Sequence, residues 1–177
     1  MPPAESSTRA VPYATTVSYV TSHIHVDGPI PGPHSLLTVT SVAHTADGDP
    51  IGTFTANVRE LPGASLHPDA LRTWRRRAED WLCTRRGSRP PAQAMTAYAG
   101  WISDLPGEKV FVTDPDEPDY LFLCWYLQRF AGHWPYARTS TEAPVGSLAP
   151  AGLCPLTGCR QASILSPLQA PALAGAG

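Results

Sequence analysis

The stretch His23-Ile24-His25-Val26-Asp27-Gly28-Pro29-Ile30-Pro31-Gly32 sets polar side chains at every second position and then enters a turn. In an extended chain residues i, i+2 and i+4 share one face, so His23, His25 and Asp27 are expected to point one way and Ile24 and Val26 the other. Imidazole nitrogen and carboxylate oxygen are both metal ligands, which makes this face a place where an ion can sit. Gly28, Pro29, Pro31 and Gly32 stop the strand, since proline offers no ladder donor and glycine permits the turn. The polar groups therefore lie near a strand end, where α/β folds keep their chemistry.

A second stretch is marked by charge. Arg72, Arg75, Arg76, Arg77, Arg85, Arg86 and Arg89 are seven of the thirteen basic residues, set against only Glu79 and Asp80. Such a run is either a solvated helix face or a strip that pairs with a phosphate backbone, for which guanidinium groups are well shaped.

At 177 residues the chain has room for one ordinary domain with unstructured ends. A net charge of -2, 16% charged and 42% hydrophobic residues are those of a soluble globular protein, so any nucleic-acid-binding surface must be local. Cys83, Cys124, Cys154 and Cys159 are few and irregularly spaced, which argues against a secreted disulfide framework and for a reduced, cytoplasmic location. The N-terminus lacks the charged start and apolar run of a leader, and no segment approaches the ~18 apolar residues of a membrane span.

The elements that must position these groups follow from periodicity. Residues 1–16 read as a disordered lead-in. Strands are expected over 17–26, 35–45 and 51–58, the last two joined by a hairpin turn at Asp47-Gly48, giving an antiparallel meander. Leu71, Trp74, Ala78 and Trp81 recur at spacings of three and four after Pro68 and predict one helix over 68–82. A second helix is expected over 92–104, a short strand over 109–113, and an apolar helix over 120–130 with Asp119 as its N-cap. Hairpins, then helices, then a strand and a helix describe an α/β layer fold. Beyond about 138 Pro, Ala, Gly, Ser and Leu dominate and neither Asp nor His occurs, so this tail reads as a low-complexity extension or as a GC-rich stretch translated in the wrong frame. Cys154 and Cys159 within it lack the second ligand pair of a zinc clip.

Three segments, YVTSHIHVDGPIPGPHSLLTVTSVA, DGDPIGTFTANVRELPGASLHPDALRTW and VFVTDPDEPDYLFLCWYLQRFAG, together resemble a bacterial branch of the DEDD (DnaQ-like) 3'-5' exonucleases over about residues 17–137. The resemblance implies a ribonuclease H-like α/β fold, three layers about a mixed central sheet with an antiparallel first hairpin pair, and with C-terminal elements missing or disordered here. It also implies phosphodiester hydrolysis on single-stranded DNA or RNA, using four carboxylates that hold two Mg²⁺ or Mn²⁺ ions ~3.5–4 Å apart. Residue by residue, the first-strand Asp falls on His23, its Glu on His25, and the later Asp on Asp119; the C-terminal Asp and its general base have no counterpart. His-x-His-x-Asp is also similar to the metallo-β-lactamase motif, but Gly28 stands where that motif needs another His.

Three functions are thus expected in order. The first is an exonuclease-like domain that binds single-stranded nucleic acid through the Arg72–Arg89 strip but has lost the two-metal site. The second is an active exonuclease with a rearranged His23/His25/Asp119 centre for Zn²⁺, Mn²⁺ or Ni²⁺. The third is a partner-binding remnant without a nucleic-acid role. Asp119 by itself needs no metal, since a helix cap is worth ~1 kcal/mol.

Overall fold

The computed structural model describes residues 16–147 and 149–150. All but the last residue of the lead-in expected over 1–16, and most of the tail with Cys154 and Cys159, lie outside the described residues. In chain order the elements are β1 (Val17–Val26), β2 (Leu36–His44), β3 (Pro50–Asn57), α1 (Pro68–Arg76), α2 (Ala78–Arg85), α3 (Pro91–Asp104), β4 (Glu108–Val112), α4 (Asp119–Phe130) and β5 (Arg138–Ser140). They form one five-stranded sheet in the order β3-β2-β1-β4-β5. The first three strands are antiparallel neighbours, as the Asp-Gly turn requires, whereas β4 runs parallel to β1 and β5 parallel to β4. The mixed α/β class expected from the sequence is therefore the one observed.

β1 sorts its side chains by strand alternation. Val20 and Ile24 join Val39, Ala43, Ala56 and Phe111 beneath α3 and α4, which contribute Met95, Tyr98, Ile102, Phe122, Leu123 and Tyr126 to the main core. The intervening residues face the other side, where α1 and α2 pack through a smaller cluster of Leu37, Trp74 and Cys83. Helices on both faces of a sheet give three layers. At the centre of the first interface a buried hydroxyl substitutes for apolar contact: Tyr98 Oη lies 2.8 Å from Ser41 Oγ, 2.9 Å from Tyr136 Oη and 3.3 Å from Ser22 Oγ. This joint ties β1, β2, α3 and the segment leading into β5.

Two expectations about elements are corrected. The single helix predicted over 68–82 is broken at Arg77 (φ -127°, ψ 48°), which ends α1 and precedes α2. In an unbroken helix Trp74 and Trp81 would stand about 10.5 Å apart along the axis, at 1.5 Å per residue; the break lets their ring centroids approach to 5.2 Å and gives the small second cluster a shared apolar body. The sheet also takes Arg138–Ser140, the first three residues of the stretch read as tail, as an edge strand.

The two loops singled out by their Pro and Gly content meet. His67 N–H donates to Asp27 O (2.8 Å), Ser65 N–H to Pro33 O (3.0 Å) and Leu61 N–H to the Ser35 hydroxyl (3.1 Å), so the LPGASLHP segment is laced to the DGPIPG turn. Glycine is required at position 28 because a Cβ there would lie 2.2 Å from the His34 ring. His67 then caps α1 by accepting from Asp69 N–H (3.2 Å), with Pro68 at the first helical position.

Tyr98→Phe removes the hydroxyl on which three buried oxygens converge. The loss of partners for buried polar groups is expected to cost about 1–3 kcal/mol, and for a domain of this size to lower the melting temperature by roughly 3–10 °C. Differential scanning fluorimetry of the two proteins checks this, and an unshifted transition would show that the joint is solvated rather than structural.

Candidate functional site

β4 stops at Val112, opposite Thr21, while β1 continues for five more residues, so His23 and His25 stand on a half-strand flanked by β2 alone. Their rings touch edge to face at 4.9 Å between centroids, and His25 continues onto Trp74 at 5.8 Å. Both imidazoles are half-buried. Burial pulls the His23 pKa below its usual range, Glu117 opposing the shift and Arg77 adding to it. His25 is lowered to about 4, by burial first and then by the positive charge that His23 and Arg77 would set beside it. At neutral pH the pair is uncharged.

Asp27, expected to align with the two histidines, does not. The β1–β2 register shifts between His25 and Val26, and such a bulge breaks the two-residue alternation on which the alignment rested. Asp27 is buried, and its carboxylate accepts the Ser35 N–H across the turn. It is a clamp for the DGPIPG loop, in agreement with the turn chemistry of the sequence.

Asp119 is likewise displaced from its expected place. The N-cap is Pro118 and Asp119 is the first residue of α4, although its Oδ1 still accepts a helical amide, Tyr120 N–H at 2.7 Å, together with the Thr113 hydroxyl at 3.0 Å. On the helix it shares a stripe with Phe122, Leu123 and Tyr126, which pack on the α3/α4 side of the sheet. His23 and His25 project to the opposite side. Among the described residues no group of three His, Cys, Asp or Glu side chains is placed to hold a metal ion, so His23, His25 and Asp119 are not brought together as a ligand set. Asp119 is 5% exposed, and burial pushes its carboxyl up to about 6, with the Tyr120 and Thr113 hydrogen bonds opposing and the charges of Glu117 and Asp114 adding.

A cleft of about 320 Å³ opens beside Asp119, bounded by Thr21 and Ser22 of β1 and by Thr113, Asp114 and Glu117 of the loop after β4. Glu117 is the residue that sequence reasoning passed over: its charge reaches both His23 and Asp119 across the sheet edge. The available signal was the density of acids, Asp114, Asp116, Glu117 and Asp119, immediately before an apolar helix.

The arginine strip is only partly open. Arg72 pairs with Asp69, Arg77 Nε with Asp80 Oδ2 at 2.6 Å, and Arg85 grips Glu60 in a two-point contact of 2.7 and 2.5 Å while lying 4.5 Å over the Trp81 ring. Arg75, Arg76, Arg86 and Arg89 are exposed and make no ion pair with the described residues. No helix among the described residues is long and apolar enough to cross a membrane.

No family model matches the chain, and no curated protein matches it in sequence. Solved structures do match in fold. E. coli exonuclease I in complex with a dT13 oligonucleotide superposes with a TM-score of 0.53 at 10% identity, covering 69% of this chain and 27% of that one. The ribonuclease H-like class is met. Exonuclease I from Methylocaldum szegediense gives a TM-score of 0.53 at 12% identity over 85% of this chain and 31% of that one. A metal-free form of the E. coli enzyme with ssDNA gives 0.50 at 9% identity over 69% and 27%. The chain thus spans under a third of the length of these exonucleases, and at such identities the likeness is one of fold.

Burial gives Asp119 and His25 opposite pH dependences. A carboxyl raised from 3.8 to about 6 contributes its stability below pH 3.8 and loses it as pH rises through about 6, whereas an imidazole lowered from 6.5 to about 4 loses it as pH falls over that interval. Asp119→Asn keeps an acceptor for Tyr120 N–H and is expected to raise stability at pH 7 by up to about 3 kcal/mol, a gain that mostly vanishes near pH 4. Urea unfolding at the two pH values measures it; a gain of equal size at both would assign the effect to something other than titration.

Proposed function

We propose that this chain is an exonuclease-like domain that binds single-stranded nucleic acid, DNA or RNA, without two-metal hydrolysis. The observation that carries the reading is the donor set at the open end of β1: the positions that the resemblance gives to Asp and Glu hold two imidazoles, and burial disfavours the charged form of both. Mg²⁺ is a hard cation that takes oxygen ligands and is reluctant to shed water. Two neutral nitrogens do not fit it, and Asp119, whose stripe on α4 packs to the α3/α4 side, stands across the sheet from them. The residues present do not fit the metal pair.

Binding is supported by separate features. The fold is shared with an exonuclease I crystallised on an oligonucleotide. Four exposed arginines, Arg75, Arg76, Arg86 and Arg89, are without acid partners among the described residues, which leaves their charge available for phosphates. Contacts of this kind position a strand and do not read its bases.

Purified protein is expected to leave a 3'-labelled oligonucleotide intact in Mg²⁺ or Mn²⁺, and His23→Asp with His25→Glu is expected not to create activity. Binding of the same oligonucleotide should weaken with salt at a slope of roughly -2 to -3 in log K against log salt, at about -0.7 per phosphate for three or four engaged arginines. Arg75→Gln with Arg76→Gln should remove about half of that slope. Digestion that disappears in Asp119→Ala would overturn the loss of hydrolysis, and a slope unmoved by the arginine pair would overturn the strip.

A further inference from the structure

The break at Arg77 creates a notch of about 260 Å³ on the outer surface of α1 and α2, lined by Leu66, Leu71, Trp74, Arg75, Ala78 and Trp81. Its walls are apolar or aromatic apart from one guanidinium, and no acid lines it. Arg75 makes no ion pair or hydrogen bond with the described residues. The notch is also the outer end of a file of rings that starts on the α1/α2 face of β1: His23 to His25 at 4.9 Å, His25 to Trp74 at 5.8 Å, Trp74 to Trp81 at 5.2 Å.

We propose that this notch is a subsite for one nucleobase of a bound single strand, with Arg75 on the phosphate beside it. The proposal rests on the nucleic-acid-binding reading above and extends it from backbone contacts to a stacking contact. The choice of occupant follows from charge complementarity. An uncharged apolar group would fill the notch and leave Arg75 uncompensated, while a bare anion would meet Arg75 and leave Trp81 and Leu71 wet. A nucleotide supplies a flat apolar ring and an anion at neighbouring positions, and stacking on an aromatic wall is available to every base because each has a π-face. The break in the helix is what makes the site: it draws Trp81 against Trp74 and leaves the space between α1 and α2 open.

The experiment compares a labelled oligothymidylate with an abasic oligonucleotide of the same length and charge, by fluorescence anisotropy on the full chain at low salt. Wild type is expected to bind the abasic strand about tenfold more weakly, the loss that one stacked base carries. Trp81→Leu should shrink the gap to less than about twofold while the salt slope stays as in wild type, since Arg75, Arg76, Arg86 and Arg89 are kept and Arg85 stays paired with Glu60. Ala78→Met fills the notch from an exposed position without removing a core contact, and should close the gap in the same way even if the tryptophan variant folds poorly. Equal binding of both strands by wild type would overturn the subsite and leave the strip standing. No binding of either strand at low salt would overturn both readings. Displacement of the oligonucleotide by an acidic, phenylalanine-bearing peptide from wild type but not from Ala78→Met would give the notch to a protein partner and overturn the proposal.

Discussion

A strand has only two faces, and every candidate chemical group in this chain is placed by how β1 divides its residues between them. Val20, Ser22 and Ile24 are committed to the α3/α4 side, the first and last as core and Ser22 through the Tyr98 hydroxyl. His23 and His25 are thereby sent to the other side, against Trp74. Because β4 ends opposite Thr21, the same half-strand has no parallel neighbour, and the loop after β4 folds over its edge to begin α4. The cleft, the ring pair and the carboxyl of Asp119 are consequences of one strand being longer than the strand beside it.

The electrostatics of this edge are set by burial more than by pairing. Burial is the largest influence on His23, His25 and Asp119, and in each case it favours the neutral form. The fixed charges nearby are Glu117, Asp114, Asp80 and Arg77, which lie in the loop before α4 and at the break between α1 and α2. A strand that offers two imidazoles with lowered pKa differs in kind from one that concentrates carboxylates on metal ions, since such a set is held ionised by the cations it binds. Here the negative charge sits in the loop, and the strand positions contribute rings.

The outer layer shows how a weak apolar cluster shapes a charged surface. α1 and α2 offer only Trp74 and Cys83 as buried hydrophobics to the sheet, so the tryptophans recruit one another and the arginines around them. Arg77 and Arg85 lie over Trp74 and Trp81 while their guanidinium nitrogens hold Asp80 and Glu60. A cation over an indole face is worth about 0.5–1 kcal/mol at exposed sites, enough to fix a rotamer in a small cluster. These two arginines are structural, and the charge left for a partner is that of their unpaired neighbours.

Local signals in the sequence determined the elements. The Asp-Gly turn placed the β2–β3 hairpin, β-branched alternation placed β1, and Pro68, Pro106 and Gly107 bounded helices, because each depends on backbone preferences within a few residues. The resemblance of three segments to DEDD exonucleases pointed to the ribonuclease H-like class that the sheet order then displayed. What only the tertiary structure decided are relations between elements. The bulge after His25 turned Asp27 into a loop clamp, the core stripe of α4 carried Asp119 to the side opposite the histidines, and the break at Arg77 folded one predicted helix into two. Glu60 claimed Arg85 from 25 residues away. Each of these depends on a partner distant in the chain, and periodicity, which counts only neighbours along the sequence, holds no information about which distant surface a residue will meet.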